Sequence, residues 1–213
     1  MENVYFDYQQ DRVKEIQDRG YGATPGETVL FGHSILYGFD IAHYFPNAHI
    51  YNNGLDGATS HQLLYLHDYA IKLYKPNKLF LMIGTNDLNE EHGKHVAGHA
   101  HQGDVLDIAF NVNNLLAIFE RNYHIDQIYI VSPLPVSKEK ITRNRNNRSL
   151  WLLGKEYKEL ALNFDGAVVK YIDMYPEFLK DGEMNPEYTT DGLHLSKKGY
   201  DKFASLIEPY INE

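Results

Sequence analysis

Short apolar runs alternate along the chain with longer segments in which apolar residues recur three and four positions apart. Each short run is bounded by turn-forming residues, a pattern typical of strands buried on both faces of a parallel sheet. The runs are Thr28–Phe31, Ala48–Tyr51, Lys78–Ile83, Gln127–Val131 and Ala167–Ile172. The pattern therefore predicts five strands.

The longer segments predict helices. Their apolar positions lie within 63–71, 105–119, 150–162 and 196–210. Asp104 is placed to cap the second of these helices, because its carboxylate can accept from the free N–H groups of the first turn. Residues 1–20 predict an extra amphipathic helix, with an apolar side made of Val4, Tyr5, Tyr8, Val13 and Ile16.

Alternation of strands and helices predicts an α/β fold, with a parallel sheet covered by helices on both faces. Right-handed crossovers leave few topologies, of which we favour the flavodoxin-like strand order 2-1-3-4-5. No linker or repeat interrupts residues 1–213, so we expect one domain. Such sheets bind ligands beyond the carboxyl ends of their strands.

Composition narrows the class of protein. The 213 residues are 43% hydrophobic and 23% charged, which is typical of a globular chain, and the net charge of -9 disfavours nucleic acid as a partner. There are no cysteines, which excludes disulfides and thiolate metal sites. The polar N-terminus is no signal peptide, and no apolar run is long enough to insert in a membrane. We expect a cytoplasmic protein.

Polar blocks follow the strands, where ligands are expected. They are Gly32-His33-Ser34-Ile35, Asn52-Asn53-Gly54-Leu55, Gly84-Thr85-Asn86-Asp87 and, before the last helix, Asp191-Gly192-Leu193-His194. A serine nucleophile needs a base and a group that orients the base. Asp191 and His194 are three residues apart, so the carboxylate can reach Nδ1 and leave Nε2 free. Backbone N–H groups of Ser34 and Gly54 and the Asn86 amide could hold an oxyanion.

These four blocks resemble the motif blocks of SGNH (GDSL-like) hydrolases, in the family's order and spacing, over residues 27–210. The resemblance is greatest to small bacterial acylhydrolases of the lysophospholipase or platelet-activating-factor-acetylhydrolase-like type. It implies an α/β/α fold and no cofactor, and nothing in the predicted mechanism uses a metal. It also implies a Ser34–His194–Asp191 triad with an oxyanion hole from Ser34, Gly54 and Asn86.

His33 departs from the family's pattern, which has aspartate before the serine. Adjacent side chains of an extended segment point to opposite sides, so we expect His33 to face away from a bound ester. We predict that it is a structural substitute that pairs with backbone groups of neighbouring loops.

Each block also has a simpler interpretation. Ser34 could only cap a helix, and the blocks at 84–87 and 191–194 could be plain turns. Other chemistries fit less well, because no Gly-x-Ser-x-Gly elbow and no Walker A sequence occurs. The glycine-rich segment 20–26 precedes the first strand and has the wrong spacing for a dinucleotide loop.

Two further groups of residues carry alternatives. The first group consists of four histidines, which could bind a metal. Their spacing fits no standard metal-binding pattern, so we expect a solvated or substrate-facing loop. It comprises His92, His95, His99 and His101. The second group consists of five basic residues, which we expect to form a solvated face. The alternative is that they contact an anionic group of the substrate. It comprises Lys138, Lys140, Arg143, Arg145 and Arg148.

Together these features predict a cofactor-independent serine esterase that cleaves short-chain acyl esters through an acyl-enzyme. A carbohydrate O-deacetylase is the alternative within enzymes. A catalytically inactive binding or interaction module is the alternative from another class. The predicted partner is a small-molecule acyl ester, and the oligomeric state, a homo-oligomer included, stays open.

Overall fold

The computed structural model describes residues 4–89, 104–166 and 168–213. Five parallel strands form its main sheet, in the order β2-β1-β3-β4-β5. They are β1 (Thr28–Gly32), β2 (Ile50–Gly54), β3 (Lys78–Met82), β4 (Gln127–Val131) and β5 (Val168–Ile172). The predicted strand order is confirmed.

Helices connect and cover the strands. The long ones are α1 (Asp7–Gly20), α4 (Ser60–Ala70), α5 (Val105–Asn122), α6 (Asn147–Asn163) and α8 (Lys197–Ile211). The short ones are α2 (Ser34–Tyr37), α3 (Ile41–Tyr44) and α7 (Tyr175–Phe178), with 3₁₀ turns at Lys138–Lys140 and Pro186–Tyr188. A two-stranded hairpin pairs β6 (Leu179–Lys180) with β7 (Glu183–Met184).

The side chains of each strand alternate between two apolar cores. Val29 and Phe31 pack with α1, α4, α5 and α6, whereas Leu30 packs on the opposite face with α2 and α8. The result is the three-layer α/β/α architecture that the sequence predicts. Asp104 caps α5 as expected, because its carboxylate accepts from the N–H groups of Leu106 and Asp107 at 2.8 and 3.0 Å.

The second strand differs from its prediction. It begins at Ile50 rather than at Ala48 and continues through Asn52 and Asn53 to Gly54. Polar residues are tolerated there because their side chains find partners on both sides of the strand. Asn52 Nδ2 donates to the carbonyl of Leu36, and Asn53 Nδ2 donates to that of Ala70 at 2.7 Å.

The first helix also needs a correction. Val13 and Ile16 are buried as predicted, but Tyr8 is 57% exposed and Gln9 takes the buried position instead. Gln9 Nε2 donates to the carbonyl of Asp56 at 2.7 Å, which compensates for its burial. Hydrophobic spacing alone does not predict the burial of a polar side chain, because that burial depends on a hydrogen-bond partner elsewhere in the chain.

Because all five strands are parallel, the segments that follow them meet at one edge of the sheet. The blocks that begin at Gly32, Asn52 and Gly84 therefore lie at the ends of neighbouring strands. Across the described residues, no helix combines the length and the apolar character needed to cross a membrane.

Candidate active site

Ser34 is the first residue of α2, directly beyond the end of β1. Gly32 lets the chain pass close to β3, since a Cβ at that position would lie 2.0 Å from the carbonyl oxygen of Met82. Ser34 is half-buried. Neither its hydroxyl nor its backbone N–H makes a hydrogen bond to another described residue. Both groups are therefore available at the carboxyl edge of the sheet.

Asp191 and His194 form the contact expected from their spacing. His194 Nδ1 lies 2.9 Å from Asp191 Oδ2, while Oδ1 of the same carboxylate accepts from the N–H groups of Leu193 and His194 at 2.9 and 2.8 Å. Burial raises the pKa of Asp191, but the hydrogen bonds from His194 and Leu193 outweigh it, so the pKa is lowered. An ionised carboxylate accepts from Nδ1–H, which leaves Nε2 as the free, basic nitrogen.

The turn that carries this pair is held by its neighbours. Gly192 has a φ of 89°, a conformation that favours glycine. Thr189 Oγ1 donates to the carbonyl of His194 at 2.8 Å and accepts from the N–H of Gly192 at 2.8 Å. The imidazole is thus fixed through its own backbone as well as through Asp191.

Three of the predicted blocks converge on one cavity. Its wall includes Ser34, Asn86 and Leu193, the residue before His194. The cavity has about 290 Å³ of empty space, part of it open to solvent, and apolar side chains from β3 and the segment after β4 complete it. Those side chains are Met82, Leu134 and Pro135. No hydrogen bond joins Ser34 Oγ to His194 Nε2 among the described residues, and such bonds are often long before substrate binds.

His33 is buried and neutral. Its Nδ1 accepts from the N–H of Ile35 at 3.3 Å, so the ring proton is assigned to Nε2, which makes no hydrogen bond to a described residue. Burial, and secondarily the nearby His194, lower the pKa of His33 to about 3. Its partner is a backbone group, as predicted, but belongs to its own helix rather than to a neighbouring loop. The ring also forms part of the cavity wall beside Ser34, so it is not turned wholly away from the site.

The predicted oxyanion donors differ in availability. Asn86 Nδ2 donates to the carbonyl of Ala58 at 3.0 Å, and an amide nitrogen has a second N–H to offer. The N–H of Gly54 donates to Asn52 Oδ1 at 2.9 Å and is already engaged. Gly54 is also a position of close packing, since a Cβ there would lie 2.3 Å from the backbone nitrogen of Tyr37.

Gly57, which the sequence pattern did not single out, is a second glycine near the end of β2. It is buried in the turn between β2 and α4, with a φ of 66°, and its N–H makes no hydrogen bond to a described residue. It lies beside Ala58, whose carbonyl anchors Asn86. The Asp56-Gly57 pair was a recognisable turn signal, but the turn alone does not tell where its N–H points.

Asp87 supports the segment that carries Asn86. Its carboxylate is buried and accepts from the backbone N–H of Ser60 at 2.9 Å and from the Ser60 hydroxyl. It thereby ties the end of β3 to the first residue of α4, the helix that precedes this block in the chain. Burial raises the pKa of Asp87 to about 6, although the bonds from Ser60 oppose the rise.

The basic group divides into two parts. Lys138, Arg143 and Arg148 are exposed, in line with a solvated face. Lys140 Nζ instead lies 3.5 Å from Asp191 Oδ2, and Arg145 is buried with Nε donating to the carbonyl of Lys140 at 3.0 Å. These two residues belong to the surroundings of the Asp191–His194 pair.

The histidines at 92, 95, 99 and 101 lie outside the described residues. In the part of the chain that is described, no three His, Asp or Glu side chains form a group able to hold a metal ion.

Comparison with known proteins adds a family assignment. Residues 19–202 match the model of the GDSL-like Lipase/Acylhydrolase family. No curated protein matches the chain.

Solved structures share the fold. A candidate platelet activating factor from Streptococcus pneumonia is 25% identical, with a TM-score of 0.79 over 96% of this chain and 95% of the other. A candidate acylhydrolase from Bacteroides fragilis is 20% identical, with a TM-score of 0.80 over 98% of each chain. A catalytic mutant of an acetylxylan esterase from Geobacillus stearothermophilus is 17% identical, with a TM-score of 0.66 over 88% of this chain and 94% of the other. With the matched model spanning most of its length, the chain belongs to the GDSL-like lipase/acylhydrolase family.

Proposed function

We propose that the chain is a serine esterase that cleaves short-chain carboxylic esters without a cofactor. The single observation that supports this most is the His194 Nδ1–Asp191 Oδ2 contact of 2.9 Å, in a turn next to the cavity that Ser34 lines. The contact leaves His194 Nε2 as a base with a set orientation. A half-buried serine hydroxyl without a protein partner is its natural target.

In the first half-reaction, Ser34 Oγ attacks the ester carbonyl carbon while His194 Nε2 takes the hydroxyl proton. The carbonyl oxygen becomes an oxyanion, and Asp191 stabilises the imidazolium without taking its proton. Collapse of the tetrahedral intermediate breaks the bond to the leaving alcohol, which receives the proton from Nε2. In the second half-reaction, water attacks the acyl-enzyme by the same route and releases the carboxylic acid.

Oxyanion stabilisation is assigned to backbone and amide donors. The N–H of Ser34 and the second N–H of the Asn86 amide make no hydrogen bond to a described residue, and we assign this role to them. For a third donor we favour Gly57 over Gly54, because the Gly54 N–H must first leave Asn52 Oδ1 whereas that of Gly57 has no such bond. The Gly54 assignment made from sequence stays a prediction.

The size of the cavity supports a short acyl group. The empty space beside Ser34 is about 290 Å³ including the part that is open to solvent, so the enclosed part is much smaller. Met82, Leu134 and Pro135 limit the room for a long chain. We therefore expect acetyl and propionyl esters to react fastest.

A fluorophosphonate probe tests the nucleophile. It should label the parent at Ser34, as located by peptide mass spectrometry, and Ser34→Ala should abolish labelling. Ser205→Ala, which removes an exposed serine of α8, is the matched control and should label normally. A folded parent that is not labelled would support the inactive binding module instead.

An ester panel tests the acyl preference. With p-nitrophenyl esters from acetate to octanoate, kcat/KM should fall by at least about tenfold beyond butyrate, because a longer chain gains nothing from a cavity it cannot enter. A rate that rises with chain length would refute the short-chain assignment.

Carbohydrate O-deacetylation is the second candidate. The limited cavity suits an acetyl group, and one structural neighbour is an acetylxylan esterase, although a likeness at 17% identity shows the fold alone. Acetylated xylo-oligosaccharides should then exceed p-nitrophenyl acetate in kcat/KM. A preference for simple alkyl acetates would reject this candidate and leave the esterase in place.

A further inference from the structure

The acidic member of the proposed triad has a second charged neighbour. Lys140 Nζ lies 3.5 Å from Asp191 Oδ2, the same oxygen that His194 Nδ1 contacts at 2.9 Å. The side chains of Lys140 and Asp191 are 33% and 40% exposed, so the pair is only partly solvated. Charges in such a site interact more strongly than fully exposed ones, yet much less than buried ones.

Hydrogen bonds connect the backbone around Lys140 to the turn that contains Asp191 and His194. Ser137 N–H donates to the carbonyl of Gly192 at 2.9 Å, and Lys140 N–H donates to the carbonyl of Ser137 at 2.9 Å. The Lys140 carbonyl in turn accepts from buried Arg145. Gly192 packs so closely that a Cβ would lie 2.8 Å from Ser137 Cβ. The backbone of Lys140 is therefore fixed beside the turn, and its side chain reaches Asp191 from there.

We propose that Lys140 is a positioning residue of the triad, which holds Asp191 Oδ2 in place and disfavours the charged imidazolium of His194. The inference rests on the proposed function, because it assigns Lys140 a part in the same triad. When His194 accepts a proton, Asp191 favours the new positive charge and Lys140 opposes it. Removing the charge of Lys140 therefore removes an interaction that opposes the protonated form of His194.

Among the described residues, Asp191 and His33 are the titratable groups that interact with His194, and neither replaces this effect. Asp191 comes from its own turn, and His33 comes from the junction of β1 and α2. Burial first, and then His194, lower the pKa of His33 to about 3, so His33 carries no charge over the working range of a serine esterase. Lys138 and Glu139 are on the same 3₁₀ turn as Lys140, but both are exposed.

The pH–rate profile provides the first test. Lys140→Gln should move the acidic limb of kcat/KM for p-nitrophenyl acetate to higher pH by about 0.3–1 pH unit, the range expected of a partly screened charge. The plateau should stay within about fivefold, because two backbone N–H groups still hold Asp191 Oδ1. Lys140→Arg, which keeps the charge, should restore the parent profile.

Lys138→Gln is the matched control. It removes the same charge from the same turn, two residues away and without an ion pair among the described residues. Its profile should coincide with that of the parent. Equal shifts for Lys138→Gln and Lys140→Gln would reveal a general charge effect and overturn the inference. Lys140→Met, which keeps the aliphatic stem, replaces Lys140→Gln if circular dichroism shows that the latter is unfolded.

A titration of His194 by NMR provides a readout that does not need activity. In full-length Ser34→Ala protein, adding Lys140→Gln should raise the midpoint of the His194 ring signals by the same amount. An active parent with no shift in either measurement would refute the role of Lys140 and leave the esterase standing. A shift of the midpoint in a parent that neither reacts with the probe nor cleaves esters would refute the esterase and leave the ion-pair effect.

Discussion

Replacing Asp87 by asparagine is expected to remove a pH-dependent part of the free energy of unfolding. The carboxylate is buried under the segment that carries Asn86 and is bound by Ser60. Burial raises its pKa from 3.8 to about 6 in the folded chain. The folded state therefore binds a proton between about pH 4 and pH 6 that the unfolded state has released.

The sign and size of the pH dependence of the free energy of unfolding follow from this difference in pKa between the folded and unfolded chain. A carboxyl group with a raised pKa stabilises the fold below its unfolded pKa, and this stabilisation is lost as pH rises through the folded pKa. About two pH units correspond to about 3 kcal/mol. The free energy of unfolding of the parent, minus that of Asp87→Asn, should thus fall by about 2 kcal/mol between pH 4 and pH 6.5, which is most of the full difference.

Urea denaturation followed by circular dichroism at pH 4, 5, 6 and 7 measures this difference directly. Asp11→Asn, which removes an exposed carboxylate from α1, controls for the loss of one charge. Ser60→Ala removes one donor to Asp87 and should extend the fall toward higher pH. A difference that stays constant with pH within about 1 kcal/mol, or that rises with pH, would refute the reasoning.

Four further predictions concern the site. Ser34→Ala or His194→Ala should each lower kcat by about 10⁴–10⁶, and the double variant should be hardly worse; retention of a tenth of the activity by Ser34→Ala would exclude it as the nucleophile. Asn86→Ala should lower kcat by about 10²–10³ with KM little changed, whereas a change confined to KM would make it a substrate-binding residue. His33→Asp should stay within about tenfold of the parent rate, because a carboxylate can also accept the Ile35 N–H; loss of activity in folded protein would make His33 a participant. Prolonged EDTA treatment should leave esterase activity intact, and a loss that zinc restores would implicate the histidines at 92–101.

The elements that the sequence determined are those governed by local pattern. Gln127–Val131 is a strand at its predicted bounds, because a continuous apolar run between turns is buried on both faces. Asp104 caps α5, and Asp191 reaches His194, because each pair of partners lies within one turn of backbone. The strand order was also accessible, since right-handed crossovers leave few alternatives.

Only the tertiary structure decided the contacts between segments far apart in the chain. It brought Lys140 to Asp191, engaged the Gly54 N–H with a side chain, and left that of Gly57 open. It also buried Gln9 where Tyr8 was expected, since Asp56 supplies a partner from another element. Hydrophobic periodicity predicts which face of a helix or strand is buried. It does not predict which polar groups the element packed against that face offers as hydrogen-bond partners. For that reason the residues of the proposed triad could be named from the sequence, while the charges and donors around them could not.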